Sequence, residues 1–439
     1  YPFNLNIEAA GEEAKQGASE LDADFEVHGW SHCFCPDCLK DFAEFSGVKY
    51  ELLQNMKPVE ITKTYPLKWY EFRCSQTGKL YSLIREFLHK NYPGVKMGCN
   101  TLLLHPESNL GDLKYGICDF AEDPRLLKDE VDYYLADTLT GSVYDAVAVD
   151  VMRKTTGKPI ISVAGCSYCV GFSPHVMSFR RMTAELTGDK YGYERRTDFL
   201  KLGIVHQAAS GAAGIRFTVE EADTALKADQ AAAILAKVED WYLDGKRADD
   251  NLEVIDLTQI PSPWLQDKSR VGGKIWQSFY NQYNGEVQFR VHGKGDGILI
   301  SLFNWDPHQD KQWLLRLPKD SDRAYHVTDV INNLALCLDS REIWTAEELR
   351  QGMPVKVPAA GMTILKLTSA KENTSGREKI ASEFRNKMLA AAKDKTPYNQ
   401  YGWYKGGQID MKAYVDRALK RPLEQLKKYG GQQEITNQQ

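Results

Sequence analysis

The stretch His28-Gly29-Trp30-Ser31-His32-Cys33-Phe34-Cys35-Pro36-Asp37-Cys38-Leu39 constrains this chain more than any other. Cysteines in a C-x-C-x-x-C array can aim their sulfurs at one centre, because the Pro36-Asp37 turn folds the last thiol back towards the first two. That is metal-ligand spacing. Zinc takes four ligands, so His32, His28 and Cys74 are candidates for the fourth, as is a segment outside this sequence. Without an ion, the same residues would be buried thiols or a disulfide.

Ahead of the array, Tyr1-Pro-Phe-Asn-Leu-Asn-Ile-Glu8 alternates, with Phe3, Leu5 and Ile7 on one face and Asn4, Asn6 and Glu8 on the other. A period of two predicts a strand with its polar groups all on one side. In a (β/α)8 barrel such a strand turns one face to the helices and one to the axis, and its carboxyl end reaches the active site. Glu8 is then a catalytic acid at a strand tip, and Asn6 shares its face as a substrate contact.

A strand ending in Glu, followed by a loop carrying C-x-C-P-x-C-L-x-x-F, resembles the family 42 type of β-galactosidases and their glycoside-hydrolase-like relatives. The resemblance implies a TIM barrel whose fourth strand ends in Asn-Glu, the Glu being the general acid/base, and a cysteine loop that binds zinc structurally. Ile7-Glu8 stands where Asn-Glu stands, and Cys33, Cys35 and Cys38 match the loop cysteines, with His32 taken as the fourth ligand. Ile7 in place of Asn removes the side chain that usually touches the sugar 2-hydroxyl.

The 439 residues carry a net charge of only -5, with Lys and Arg interspersed among Asp and Glu. No basic field gathers phosphates, so no nucleic-acid partner is expected. No apolar run approaches the roughly 20 residues that cross a bilayer, so no membrane partner is expected. Nine cysteines are too few for a disulfide scaffold in a chain of this length, and the odd total leaves at least one free or metal-bound. The opening on Tyr1 inside a strand reads as a fragment or processed product. No organic cofactor is expected.

Strand and helix patterns alternate to about residue 250. Leu39 to Phe45 reads as a helix ending at Gly47, and Pro66 to Tyr92 as a long helix stopped by Pro93-Gly94. Val95 to Leu103 is the next strand, with Asn100 and His105 near its end as substrate contacts. A helix from Asp123 to Glu130 precedes the strand Val131 to Leu139, which ends on the carboxylate of Asp137. A helix from Val143 to Arg153 leads into Ile160 to Cys166, and one from Arg195 to Ser210 leads into Gly211 to Glu221. Those patterns also resemble the later half of the same sugar-hydrolase barrels. Counting from Glu8, the strands are four to eight, the C-terminal half of a barrel. Strands one to three are expected upstream or from a partner, because half a barrel leaves two open edges. Relatives of this type often trimerise, so a homo-oligomer is expected.

From about 251 the texture changes. Runs such as Val287 to Val291, Gly297 to Phe303 and Gln312 to Leu317, separated by turn residues, predict an antiparallel β-sandwich. Its close, Gly352 to Leu367, resembles the last strands of the β-domain appended to many glycoside hydrolase barrels. The expected domains are 1-250, a TIM barrel; 265-370, a β-sandwich; and 371-439, a charged helical extension.

Glycoside hydrolysis uses two carboxyl groups, about 5 Å apart for retention and about 6.5-9.5 Å for inversion. The expected pair is Glu8 with Asp137 or Glu220, the latter sharing the Arg216 and Thr218 face, with Glu221 next to it and Arg216 as a substrate contact. The strand that carries the family's nucleophile reads Ser162-Val-Ala-Gly-Cys166-Ser-Tyr, without an acid. That gap supports a second reading, a carbohydrate-binding barrel without turnover. A third pairs the strand-four and strand-six acids as in α-galactosidase-like barrels. Cys166-x-x-Cys169 reads as paired structural thiols, His292-Gly-Lys-Gly-Asp-Gly as a hairpin turn, and His206 as a core histidine.

Overall fold

The computed structural model describes residues 2-23, 33-101, 121-138, 143-164, 193-217, 222-258, 287-305, 309-317, 323-369 and 376-397. They form two compact units, one drawn mainly from Tyr1–Thr138 and Ala148–Val163, the other from Leu139–Val147 and Ala164–Tyr404.

The first unit opens on a helix, α1 (Pro2–Lys15), where the alternation predicts a strand. The alternation covers only the first eight residues. Beyond it, Ala9, Ala10, Glu12, Glu13, Ala14 and Lys15 are strong helix formers, and Ile7, Gly11 and Ala14 fall on one helical stripe. Gly11 and Ala14 are buried, and a Cβ at position 11 would sit 3.3 Å from the Phe87 ring. The helical period wins because it buries that stripe.

The strand itself is β1 (Glu20–Ala23), followed by α2 (Pro36–Ser46), α3 (Tyr50–Leu53), α4 (Pro58–Thr64) and the long α5 (Pro66–Asn91). Then come β2 (Lys96–Thr101), the short α6 (Pro124–Leu127), β3 (Tyr133–Thr138), α7 (Val143–Thr156) and β4 (Ile160–Ala164). The strands lie side by side in chain order. β1 pairs with β2, and β2 with β3, in parallel. Parallel neighbours need crossover connections, and each of these contains a described helix. This is the half-barrel sheet expected from the sequence, with its first strand displaced from residues 1-8 to 20-23. α5 buries Trp69, Tyr70, Phe72, Cys74, Tyr81, Ile84 and Leu88. Its tyrosines tie down the segment before β3, Tyr70 donating to Asp123 at 3.0 Å and Tyr81 to Glu122 at 2.8 Å.

The second unit begins with α8 (Tyr193–Ala209), β5 (Gly214–Phe217), α9 (Ala222–Leu235) and α10 (Glu239–Asp244). Next are β6 (Lys246–Arg247), a 3-10 turn at Asp249–Asn251, β7 (Glu253–Asp256), β8 (Val287–Lys294) and β9 (Gly297–Asn304). β10 (Lys311–Arg316), β11 (Tyr325–Asp329), β12 (Leu334–Leu338), β13 (Ile343–Trp344) and α11 (Ala346–Gln351) follow. β14 (Met353–Val357), β15 (Gly361–Thr368), β16 (Gly376–Ile380) and α12 (Ser382–Ala391) complete the described part. Within the extension expected to be helical from 371, Gly376–Ile380 is a strand, β16, and residues 371-375 and those beyond 397 lie outside the described set, as does the 260-264 linker.

β14, β10 and β7 form one sheet; β16, β12, β11, β15, β9, β8 and β6 form another, with β13 beside β11. Val254, Trp313, Leu315 and Val355 from the first share one apolar core with Phe289, Ile300, Leu302, Val327 and Leu365 from the second. The alternate residues Ile255 and Leu314 point the other way and meet Met388 and Ala392 at α12. The small sheet is thus covered on both faces, which explains its unbroken Trp313-Leu314-Leu315 run. α11 opens on a Thr345–Glu348 capping box, and at its far end the buried Arg385 of α12 donates to Glu348 O and Gly352 O, both at 2.9 Å. The His292 motif is the β8–β9 hairpin, turning at residues 295-296. No described helix is long and apolar enough to cross a membrane.

Leu314 is fully buried on the α12 side of β10. Leu314→Ala is expected to lower stability by about 2-5 kcal/mol through the lost transfer energy and the cavity left behind, measured by urea denaturation.

Candidate functional site

Parallel pairing puts the carboxyl ends of β1, β2 and β3 on one edge of the sheet, and the two faces above that edge differ in chemistry. In register, Asp22 lies beside Gly98 and Gly98 beside Tyr133, so these residues share a face; Asn100 and Leu135 are the next pair along it. Leu21, Met97, Cys99, Tyr134 and Ala136 occupy the other face and are buried. That second face meets the helices: Tyr134 donates to Pro124 O of α6 at 3.0 Å, and Cys99 lies against Tyr81 of α5.

On the polar face, the Tyr133 ring crosses β2 and its hydroxyl donates to Asp22 Oδ1 at 2.7 Å. The crossing depends on Gly98, where a Cβ would lie 2.4 Å from the tyrosine ring and 2.6 Å from Asp22 Oδ1. Burial, then Asp22, push the Tyr133 phenol well above its ordinary range, so it stays a donor. Nearer the carboxyl edge, Asn100 is half-buried, and its Oδ1 is fully enclosed without a hydrogen-bond partner among the described residues. Asp137 is the penultimate residue of β3.

The cysteine array follows β1 in the sequence and leads into α2. Cys35 is the N-cap of α2, with extended backbone, Pro36 and Asp37 open the first turn, and Gly47 ends the helix in the left-handed conformation at φ 70°. Cys33 also takes a left-handed φ of 61°, which turns its side chain back on the other two. The sulfurs of Cys33 and Cys35 are 3.2 Å apart, those of Cys38 and Cys33 are 3.4 Å apart, and all three lie within 4.8 Å. Tetrahedral zinc–thiolate geometry, with bonds of about 2.3 Å, places sulfurs about 3.8 Å apart, inside that spread. The thiols are free, and Cys33 and Cys35 are exposed, so neither the disulfide nor the buried-thiol alternative holds. Phe34 anchors the loop, stacking on Trp69 of α5 at 4.5 Å and 7°, while Phe42 meets the same indole edge-on at 4.9 Å.

The backbone N–H of Cys38 and the Cys33 thiol hold the Cys35 thiol below its usual range; burial and the other two sulfurs push Cys38 up to about 12. Left alone, the trio ionises unevenly, because like charges at this distance oppose one another. A bound cation would reverse that. The cluster could therefore hold a metal ion.

Of the residues expected to act on substrate, Glu8 is displaced: it lies exposed in the middle of α1, not at a strand tip. Asn6 lies on the same helix. The Asn-Glu equivalence drawn at Ile7-Glu8 falls with the strand. Cys74 is buried in α5 and is not part of the sulfur group. Asn100 sits where expected, on the polar face near the end of β2, and Arg216 is exposed on β5 in the second unit. His28, His32, His105, Cys166, Cys169, Glu220 and Glu221 lie outside the described residues. Reading the sequence missed β1 itself, although Leu21-Asp22-Ala23-Asp24-Phe25-Glu26-Val27 alternates cleanly and places acids at every second position up to Glu26.

Gly98→Ala is expected to destabilise the first unit by about 1-3 kcal/mol, because the new methyl overpacks the Tyr133 ring. Thermal denaturation checks it, and the double variant Gly98→Ala/Tyr133→Leu should recover part of the loss.

No family profile matches the chain, and no curated protein does. Among solved structures it is similar to an α-amylase of Anoxybacillus, at 7% identity and a TM-score of 0.33, over 67% of this chain and 57% of that one. It is also similar to the β-galactosidase from Bacillus circulans sp. alkalophilus, at 9% identity and a TM-score of 0.37, over 83% and 82% of the two chains. For the rhamnosidase from Novosphingobium sp. PP1Y the values are 8% and 0.42, over 78% and 44%. The chain thus spans little more than half of the amylase and less than half of the rhamnosidase. Likenesses with TM-scores this low identify neither the fold nor an activity.

Proposed function

We propose that this chain is part of a glycoside hydrolase whose acids sit at the carboxyl edge of the parallel sheet. The observation that carries the reading is the relocated first strand. With β1 at Glu20–Ala23, the sequence between its end and the cysteine cluster carries Asp24 and Glu26. Glu26 replaces Glu8 as the general acid/base, and the match to Asn-Glu moves to Phe25-Glu26. Asp137, near the end of β3 on the same edge, is the second carboxyl group, with Glu220 as the alternative. Asn100, half-buried near the end of β2, remains a proposed substrate contact. His105 and Arg216 remain proposed substrate contacts. Cys33, Cys35 and Cys38, with His32, hold zinc as a staple that fixes the acid-bearing loop. β1 has β2 on one side and no neighbour on the other among the described residues. Further strands, from a preceding segment or a second copy of the chain, complete the sheet there.

The second reading, a carbohydrate binder without turnover, rests on β4, whose residues Ile160–Ala164 include no acid.

A panel of chromogenic aryl glycosides separates the two. Glu26→Gln is expected to lower turnover about 10²-10⁴-fold, and Asp137→Asn to do likewise, while Glu8→Gln leaves it unchanged. Loss of activity on Glu220→Gln with Asp137→Asn active would transfer the second role to Glu220. Sugar binding without turnover by the parent on any glycoside would leave the binder.

For the metal, one equivalent of Co(II) added to the reduced protein should give a thiolate charge-transfer band that zinc abolishes. Cys38→Ser should weaken binding at least tenfold by equilibrium dialysis.

A further inference from the structure

Where α8 ends against the large sheet of the second unit, the packing is polar, and at its centre is a histidine that has no place for a second proton. His206 is completely buried. Its ring stacks on Phe303 of β9 at 4.2 Å and 20°, and the Trp305 indole N–H donates to Nδ1 at 3.2 Å. A neutral imidazole that accepts at Nδ1 carries its proton on Nε2, and that atom is enclosed without a partner among the described residues.

The charged and titratable groups around the ring are set against a further proton. From β8 come Arg290, whose Nε donates to Ser210 Oγ at 3.0 Å, and His292 on the same face. From β6 comes Arg247, which donates to Ala209 O at 3.3 Å and grips Asp249 through two contacts of 2.7 Å. Asp249 also accepts from Val291 N at 2.8 Å, so its charge is already engaged. α10 contributes Tyr242, hydrogen-bonded to Ser301 at 2.7 Å, and β15 contributes Lys366, which lies over Trp241. α9 carries a half-buried Lys227 and an exposed Asp229. β9 and Trp305 add no titratable group to the contact.

We propose that His206 is an acid-sensitive lock on the carboxyl end of α8, holding the helix to the sheet only as the neutral ring. A second proton must go to Nδ1. It would displace the indole donor, leave both ring nitrogens as donors without acceptors, and set a cation beside Arg290 and Arg247. The closed state therefore refuses the proton, and the ring takes it up only when the last turn of α8 lifts away. That turn runs through Ser210 and Ala212 into β5, so opening loosens the strand that carries Arg216. The inference is independent of the proposed hydrolase activity.

Burial, then Arg290 and Arg247, hold the His206 pKa well below its ordinary value. The released ring titrates near about 6.5. Above that pH both states are neutral and the lock is at full strength. As pH falls below it, only the open state binds a proton, and the opening constant rises about tenfold per unit until the closed-state pKa is reached.

Hydrogen exchange of the full-length protein, followed by mass spectrometry on peptides covering residues 200-212, reads this directly at pH 7.5, 6.0 and 5.0. After correction for intrinsic rates, protection in the parent should fall about tenfold between pH 6.0 and 5.0. In His206→Gln, whose amide oxygen can still accept from Trp305 but takes no proton, it should stay level. Equal pH dependence in the two proteins would overturn the proposal. Where the variant fails to fold, 15N NMR of the parent's histidine rings decides. An unprotonated Nδ1 signal persisting at pH 5.5 supports the lock, and titration of that ring near 6.5 in the folded protein overturns it.

Discussion

Parallel pairing of β1 with β2 and of β2 with β3 is the constraint from which the first unit follows. Parallel strands cannot be joined by tight turns, so each link must cross back, and the helices that do so bury their apolar stripe against one face of the sheet. α5 buries Trp69, Tyr70, Tyr81 and Leu88, and its Tyr81 lies against Cys99 of β2. The other face carries Asp22, Asn100 and Tyr133, with Leu135 beside Asn100. Asp22, Asn100 and Asp137, far apart in the sequence, stand on three neighbouring strands by topology alone.

Most of this was legible from period and punctuation. Helices α2, α5, α7 and α8 and strands β2 to β5 lie within a few residues of where apolar spacing, Pro66, Gly47 and the Pro93-Gly94 pair place them. The first strand was not, and the reason is physical. The alternation of the first eight residues is outweighed by the helix formers between Ala9 and Lys15 once Gly11 can pack against Phe87 on α5 and Ala14 is buried. The cysteine array was legible because its geometry is local: an N-cap, a proline and one turn of helix suffice to gather the sulfurs. The Asp22–Tyr133 bond was not, because it spans 111 residues and rests on what Gly98 lacks.

The second unit shows where alternation misleads. Gln288, Arg290 and His292 alternate with apolar residues along β8, yet each is at most 1% exposed. α8 and α10 cover that face, so polar side chains that could have been solvated are instead held by one another: Arg290 by Ser210 and Gln288, Arg247 by Asp249, Ser301 by Tyr242. A layer of this kind demands matched geometry, since an unpaired buried group costs about 1-3 kcal/mol. It fixes where α8 ends more tightly than an apolar contact would.

The same cost bears on the polar face of the first unit. Towards its amino end the face is satisfied, Tyr133 having Asp22 as its acceptor. Towards its carboxyl end, the enclosed Asn100 Oδ1 has no donor among the described residues, so its desolvation is not offset within that set. The face is thus satisfied at one end and holds an enclosed acceptor without a described donor at the other. An acceptor enclosed without a described donor carries a cost of about 1-3 kcal/mol that the Tyr133 hydroxyl, with Asp22 in place, does not.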